Sequence, residues 1–159
     1  MKEPSIVKIL VQFSNLTKAL IDSSSIIYAN KAGFLDKLGE TIRLYAIPEI
    51  LNETQHDYEN IKIIKHNFNN VPTDKKLISV AFDQNLPVIS EDKKILTALE
   101  NRDIPYFNTL MMLNFLFYKN QISAADFCQY RRRLKDFAWY SQLVWEFGEK
   151  VFASIENLS

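Results

Sequence analysis

From Lys18 onward, two patterns of apolar residues alternate along the chain: short continuous runs, and stretches spaced by three and four. The runs Lys18-Ala19-Leu20-Ile21-Asp22, Ile42-Arg43-Leu44-Tyr45-Ala46-Ile47, Ile61-Lys62-Ile63-Ile64-Lys65 and Pro87-Val88-Ile89-Ser90 read as strands. Ile104-Pro105-Tyr106-Phe107 reads as a short edge strand, where its proline is tolerated. Between the runs lie helical stretches. Ser23-Ser24-Ser25 offers N-cap hydroxyls for a helix through Ile26, Ile27, Tyr28 and Ala29. A second, through Phe34, Leu35 and Leu38, should stop near Gly39, and Pro48 starts a third at its first position. Pro72 opens a helix whose Leu77, Ile78, Val80, Ala81 and Phe82 should face the sheet. Asp92 to Asn101 is helical. Thr109 is expected to cap a buried helix containing Met111-Met112-Leu113-Asn114-Phe115-Leu116-Phe117.

Both ends depart from this alternation. Residues 4 to 17 place Ile6, Ile9, Leu10, Phe13 and Leu16 on one face of an amphipathic helix packed on the core. From Ser123 the pattern is helical throughout, with one helix over Ala124 to Leu134. In the next, Trp139, Leu143, Phe147, Val151 and Ile155 form a four-residue stripe that needs a cover. The chain therefore predicts an α/β fold with a central, mostly parallel sheet covered on both faces and extra C-terminal helices. No repeat or Pro/Gly/Ser linker divides it. One domain is expected over 1–159, with an N-terminal helical extension (1–17), a core (18–122) and C-terminal helices (123–159).

Composition narrows the chemistry. At 159 residues and 47% hydrophobic content the chain can bury a substantial core. Lysine plus arginine equals aspartate plus glutamate at 19 each, so no bulk positive field attracts nucleic acid and any such surface must be local. A single cysteine, Cys128, read as a small core residue, rules out an internal disulfide and makes a reducing cytoplasm the default compartment. No apolar run approaches the roughly 18 residues that span a bilayer. Only Gly33, Gly39 and Gly148 are available, too few for a phosphate-cradling glycine loop. His56 and His66 lack zinc spacing and read as surface or packing residues. Arg131-Arg132-Arg133 with Lys135 is the densest basic cluster. It reads as a solvated helix face, or as a patch that would contact phosphates without reading sequence, with Tyr130 beside it to stack on a base.

Four acids stand at or beside the ends of apolar runs: Asp22, Glu53, Asp74 and Asp92. In open α/β sheets ligands bind beyond the carboxyl ends of the strands, where the strand order reverses. Acids delivered to that rim would repel one another unless a divalent cation were present, and hard oxygen donors suit Mg2+ or Mn2+. The same residues also admit a plainer role, with Asp22 and Asp74 as helix caps and Glu53 and Asp92 as solvated acids.

Leu20-Ile21-Asp22-Ser23-Ser24-Ser25-Ile26-Ile27-Tyr28-Ala29, Ile47-Pro48-Glu49-Ile50-Leu51-Asn52-Glu53, Asp74 before Leu77-Ile78-Ser79-Val80-Ala81, and Val88-Ile89-Ser90-Glu91-Asp92-Lys93-Lys94-Ile95-Leu96, in that order, resemble a PIN domain. The similarity covers roughly Lys18 to Phe127 and is nearest to the prokaryotic branch that includes VapC-like toxins. It implies a three-layer α/β/α PIN-like fold and a metal-dependent endoribonuclease, a nuclease and hydrolase acting on RNA, as in the toxin of a toxin–antitoxin pair. Asp22, Glu53, Asp74 and Asp92 would be its catalytic and metal-binding acids, with Ser90 supporting them by hydrogen bonding. The resemblance implies Asp22 and Asp92 as primary ligands of Mg2+ or Mn2+, and Asp74 as a second-site or water-mediated one. Glu53 would be a ligand or would position the attacking water. Asp83 competes with Asp74 for the third place, and Ser90 followed two residues later by an acid favours Asp92 over Glu91.

The implied partners are RNA, an antitoxin protein and, through the C-terminal stripe and the N-terminal helix, a second copy of the chain; no membrane is expected. Aspartate-based phosphotransfer on a similar sheet would need an acid two residues after its nucleophile, where Ser24 stands. A non-catalytic module that keeps the fold to bind protein or RNA is the alternative function.

Overall fold

A computed structural model of the chain describes residues 5–55 and 57–158. The start of the first predicted helix at residue 4, and His56, lie outside the described residues. Among these, five strands form one sheet: β1 (Lys18–Ile21), β2 (Arg43–Ala46), β3 (Ile61–Ile63), β4 (Val88–Ile89) and β5 (Tyr106–Phe107). Their spatial order is β3-β2-β1-β4-β5, and every pairing is parallel. Leu20 of β1 lies between Tyr45 of β2 and Val88 of β4. The central strand buries Ala19, Leu20 and Ile21 completely, as a continuous apolar run in a parallel sheet should.

The helices are α1 (Ile6–Asn15), α2 (Ser23–Ala32), α3 (Leu35–Thr41), α4 (Pro48–Thr54), α5 (Thr73–Gln84), α6 (Lys93–Glu100), α7 (Thr109–Tyr118), α8 (Ala124–Lys135) and α9 (Gln142–Glu156). They flank the sheet to give a three-layer α/β/α architecture. α2 packs on α4 and α5 packs on α6, and because crossovers between parallel strands are right-handed as a rule, the order β3-β2-β1-β4-β5 assigns α2, α3 and α4 to one face and α5 and α6 to the other. The N-terminal helix belongs to the core. Fully buried Phe13 meets the rings of Phe107, Phe115 and Tyr118 at centroid distances of 5.8, 5.5 and 5.7 Å. Burying such a side chain contributes about 1.5–3 kcal/mol.

Several local expectations change. Gly39 does not stop α3: the helix continues to Thr41, and a Cβ at Gly39 would stand 2.5 Å from that of Asn60, so the glycine admits a close neighbour. Phe82 is 65% exposed, while Leu77, Val80 and Ala81 are buried; a helix has one inward stripe, and Phe82 falls off it. Asn108, not Thr109, caps α7 by accepting from the Met111 amide at 2.8 Å. Cys128 is exposed.

Trp139 lies before α9 and is 94% exposed, because Ser141 is the cap and starts the helical register two residues later. Of the expected stripe, Val151 and Ile155 are buried, Phe147 is half-buried and Leu143 is 72% exposed. Half of it is thus covered within the chain.

Candidate active site at the β1–β4 edge

The strand order reverses at β1. The chain builds β2 and β3 to one side, then returns to lay β4 and β5 on the other, so β1 and β4 flank the crevice in which open α/β sheets hold ligands. The end of β1 delivers Asp22. The end of β4 delivers Ser90, Glu91 and Asp92. The Asp22 amide donates to the Ile89 carbonyl at 2.9 Å, which pins the two ends together.

Asp22 is only 8% exposed. Its Oδ1 caps α2 by accepting from the Ser23 amide at 2.8 Å, and its Oδ2 accepts from the Ser90 hydroxyl at 2.8 Å. Burial pushes this carboxyl up from its ordinary value, against the pull of those two hydrogen bonds, and the nearby Glu53 and Asp92 push it up further. Ser90 is completely buried, and its oxygen also accepts from the Asp92 amide at 3.1 Å, so one hydroxyl joins both acids. Asp92 itself is exposed and caps α6 through the Lys94 amide at 2.8 Å. Glu53, exposed in the last turn of α4, accepts from the Ser23 hydroxyl at 2.7 Å. The serines expected to cap α2 sit inside it instead, where Ser23 reaches Glu53 and Ser25 reaches Glu91.

Asp22, Glu53 and Asp92 are therefore gathered. Asp74 stands apart, half-buried in the first turn of α5, with its Oδ1 accepting from the Lys75 amide at 2.9 Å. It nonetheless lies at the carboxyl end of the sheet, since α5 follows β3 and leads back to the start of β4. Asp83 is exposed near the far end of α5, about 13 Å away along the axis at 1.5 Å per residue. That distance separates the two candidates for the third acid. Among the described residues no group of three or more His, Cys, Asp or Glu side chains is arranged so as to hold a metal ion. The donor chemistry of the rim still fits Mg2+ or Mn2+, because hard cations of this size keep several waters and are bound by one or two carboxylates plus substrate phosphates rather than by all-protein cages.

Glu91 serves a purpose that sequence reasoning missed. Part-buried between layers, it accepts from the Ser25 hydroxyl at 2.7 Å, from the Thr109 amide at 3.1 Å to each oxygen, and from the Tyr140 hydroxyl. Burial raises its carboxyl above the usual range, although these hydrogen bonds oppose the shift. Burial and the charge of Glu91 likewise push the Tyr140 hydroxyl up. The pair ties the segment before α9 to the site edge. Tyr28 reinforces it, its ring meeting Phe137 and Tyr140 and its hydroxyl accepting from the Trp139 amide at 3.4 Å. The signal in the sequence was faint, a second acid between Ser90 and Asp92.

A second polar cluster joins α4 to α5. His66 is a polar partner rather than a filler: its Nδ1 accepts from the Phe68 amide at 3.1 Å, leaving Nε2 to donate to Glu49 at 2.9 Å, while Lys76 Nζ lies 3.0 Å from the other oxygen. Burial would raise the Glu49 carboxyl, but hydrogen bonds from His66 and Lys76 outweigh it and hold the group down to about 2.

The basic cluster is mostly engaged. Arg131 pairs with Glu149 and lies 5.5 Å over the Trp145 ring, with Lys135 over the same ring at 5.4 Å. Arg133 donates to the Ala32 carbonyl at 3.3 Å and lies over Tyr130. Exposed Arg132 makes none of these contacts among the described residues. These cations hold α8 to α9 and α2.

Among the described residues no helix is long and apolar enough to cross a membrane. No protein-family model matches the chain, and no curated protein matches it either.

Proposed function

We propose that the chain is a divalent-metal-dependent endoribonuclease of the PIN-domain type. One observation carries this reading: a buried carboxylate, Asp22, sits at the switch point of a parallel sheet with Glu53 and Asp92 close by, its proton affinity raised first by burial and then by those two acids. A fold that needed only a helix cap could place it at the surface, without the repulsion. The ordered resemblance of the four acid-bearing segments supplies the substrate class, and cytoplasmic RNA and an antitoxin protein are the partners this proposal carries with it.

Asp22 and Asp92 would hold Mg2+ or Mn2+, with Glu53 beside them and Asp74, farther off in the first turn of α5, as a second-site or water-mediated ligand; when bound, the ion supplies Lewis acidity toward the phosphodiester and the attacking water. Ser90 fixes the Asp22 rotamer and, by accepting the Asp92 amide, sets the spacing of the two. Glu53 is exposed at the rim and oriented by Ser23, free to accept a proton from a water on its solvent side. The reaction needs no protein nucleophile, since water adds to phosphorus and the ribose oxygen leaves.

The test is cleavage of labelled single-stranded RNA by purified protein, in Mn2+ and in chelator. Wild type should cleave only with metal, and Asp22→Asn and Asp92→Asn should each lose roughly a hundredfold or more, since even groups that merely orient metal ligands are worth 10–100-fold. Cleavage that persists in chelator, or that Asp22→Asn retains in full, overturns the proposal.

A further inference from the structure

A groove of about 550 Å3 runs between α1, α6, β5 and the first turns of α7 and α9. Its size falls within the roughly 300–1,000 Å3 range typical of ligand sites. Its floor is apolar, with Ile9, Leu96, Phe107 and Met111 buried and Val144 and Phe147 half-buried around it. Its charge is one-sided. Lys8 and Lys93 line it and no acid does, in a chain whose acids and bases are equal in number. Both lysines are exposed, and neither forms an ion pair among the described residues. Asn108 and Ser141, the caps of α7 and α9, line it too, and Lys93 is the first residue of α6, so three helix amino ends add partial positive charge.

Lys93 follows Asp92 directly, which places the groove one residue from the acid rim. At its mouth stands exposed Leu143, and Trp139 precedes Ser141 by two residues.

We propose that this groove seats a nucleotide flanking the scissile phosphate of a single-stranded RNA, its phosphates on Lys93 and Lys8 and its base against the apolar wall. The inference rests on the ribonuclease reading of the neighbouring acids. An apolar wall beside isolated cations suits an unstacked base, which offers a π-face and a phosphate together. A duplex keeps its bases stacked and presents mostly backbone and hydroxyls.

The experiment measures binding of a labelled single-stranded RNA dodecamer by anisotropy, in chelator, over a series of salt concentrations. Wild type is compared with Lys8→Gln/Lys93→Gln. Each phosphate contact to a single strand contributes about 0.7 to the slope of log K against log salt, so the double variant should lose about 1.4 of slope. Its melting temperature should stay that of wild type. In Mn2+ the variant should show a raised KM with kcat kept, because the lysines flank the reacting phosphate rather than touch it. Leu143→Asp should weaken single-strand binding without weakening duplex binding. An unchanged salt slope, no binding by wild type, or equal lysine-dependent binding of duplex each overturns the assignment. Lysine-dependent binding with no cleavage in Mn2+ sinks the ribonuclease reading and leaves the groove standing; cleavage with an unchanged slope does the reverse.

Discussion

Asp22 and Glu91 are both carboxylates shifted upward by burial, yet they answer substitution in opposite ways. Asp22 keeps its helix cap as asparagine. The amide oxygen can still accept from Ser23, and asparagine caps helices as well as aspartate does, while the NH2 meets Ser90 only if that hydroxyl stops donating and accepts instead. What it loses is the charge, and with it the repulsion from Glu53 and Asp92. Asp22→Asn should therefore melt at or above the wild-type temperature in the absence of metal, while losing any stabilisation by Mn2+ that wild type gains. Glu91 accepts from donors on both oxygens, so an amide NH2 in its place must face the Thr109 amide hydrogen. Glu91→Gln should cost roughly 1–3 kcal/mol, the penalty of an unsatisfied buried donor. Urea melts of the two variants check the pair, and a destabilised metal-free Asp22→Asn would return that residue to a purely structural role. The sequence could point to Asp22 because a strand ends there. It could not tell Glu91 from Asp92, since which acid turns inward depends on Tyr140, forty-nine residues away.

At the scale of elements, the strands and helices were legible from periodicity, while several ends were not. Ser23, Thr109 and Gly39 each look like boundary residues, but Asp22 and Asn108 take the caps and Gly39 lies within α3. Competing cap candidates one residue apart differ only in tertiary contacts, which local pattern does not carry. The link between α4 and α5 was equally hidden, because Glu49, His66 and Lys76 meet only after β3 is laid beside β2. It has a pH signature. Glu49 is held down to about 2 against an ordinary 4.5, so its contribution to stability is complete above about 4.5 and is lost as pH falls toward 2. Asp22 and Glu91 carry the opposite sign, each being relieved on protonation, so the Glu49 share must be isolated by difference. Wild type minus Glu49→Gln stability should be level above pH 5 and decline between pH 4.5 and 2. A difference that stays flat down to pH 2 removes the cluster from the fold's energetics.

For the whole molecule, alternation of runs and helices predicted the parallel three-layer class, but the order β3-β2-β1-β4-β5 is set by crossovers that no single segment encodes. That order brings Asp22 beside Asp92 and leaves Asp74 on a neighbouring helix, and so decides which of four candidate acids converge. The C-terminal helices were read as partly in need of an outside cover, yet α9 has an internal partner in α7. Asn114 of α7 donates to the Gly148 carbonyl of α9 at 3.3 Å, and a Cβ at Gly148 would stand 2.6 Å from a methyl of Leu110, which is fully buried. Gly148→Ala makes this docking a matter of sign. In an exposed or loosely held helix the change should stabilise by close to 1 kcal/mol, because glycine is a poor helix former. Against a close-packed α7 the added methyl must displace Leu110, and overpacking costs about 1–3 kcal/mol. The close contact should win, for a net loss on the order of 1 kcal/mol by the same reckoning. Since α9 follows the segment that carries Tyr140 to Glu91, the loss should reach the site edge as faster hydrogen exchange of the Thr109 amide. A variant that melts higher than wild type would mean that α9 is not seated on α7, and would restore the need for an external cover over its apolar stripe.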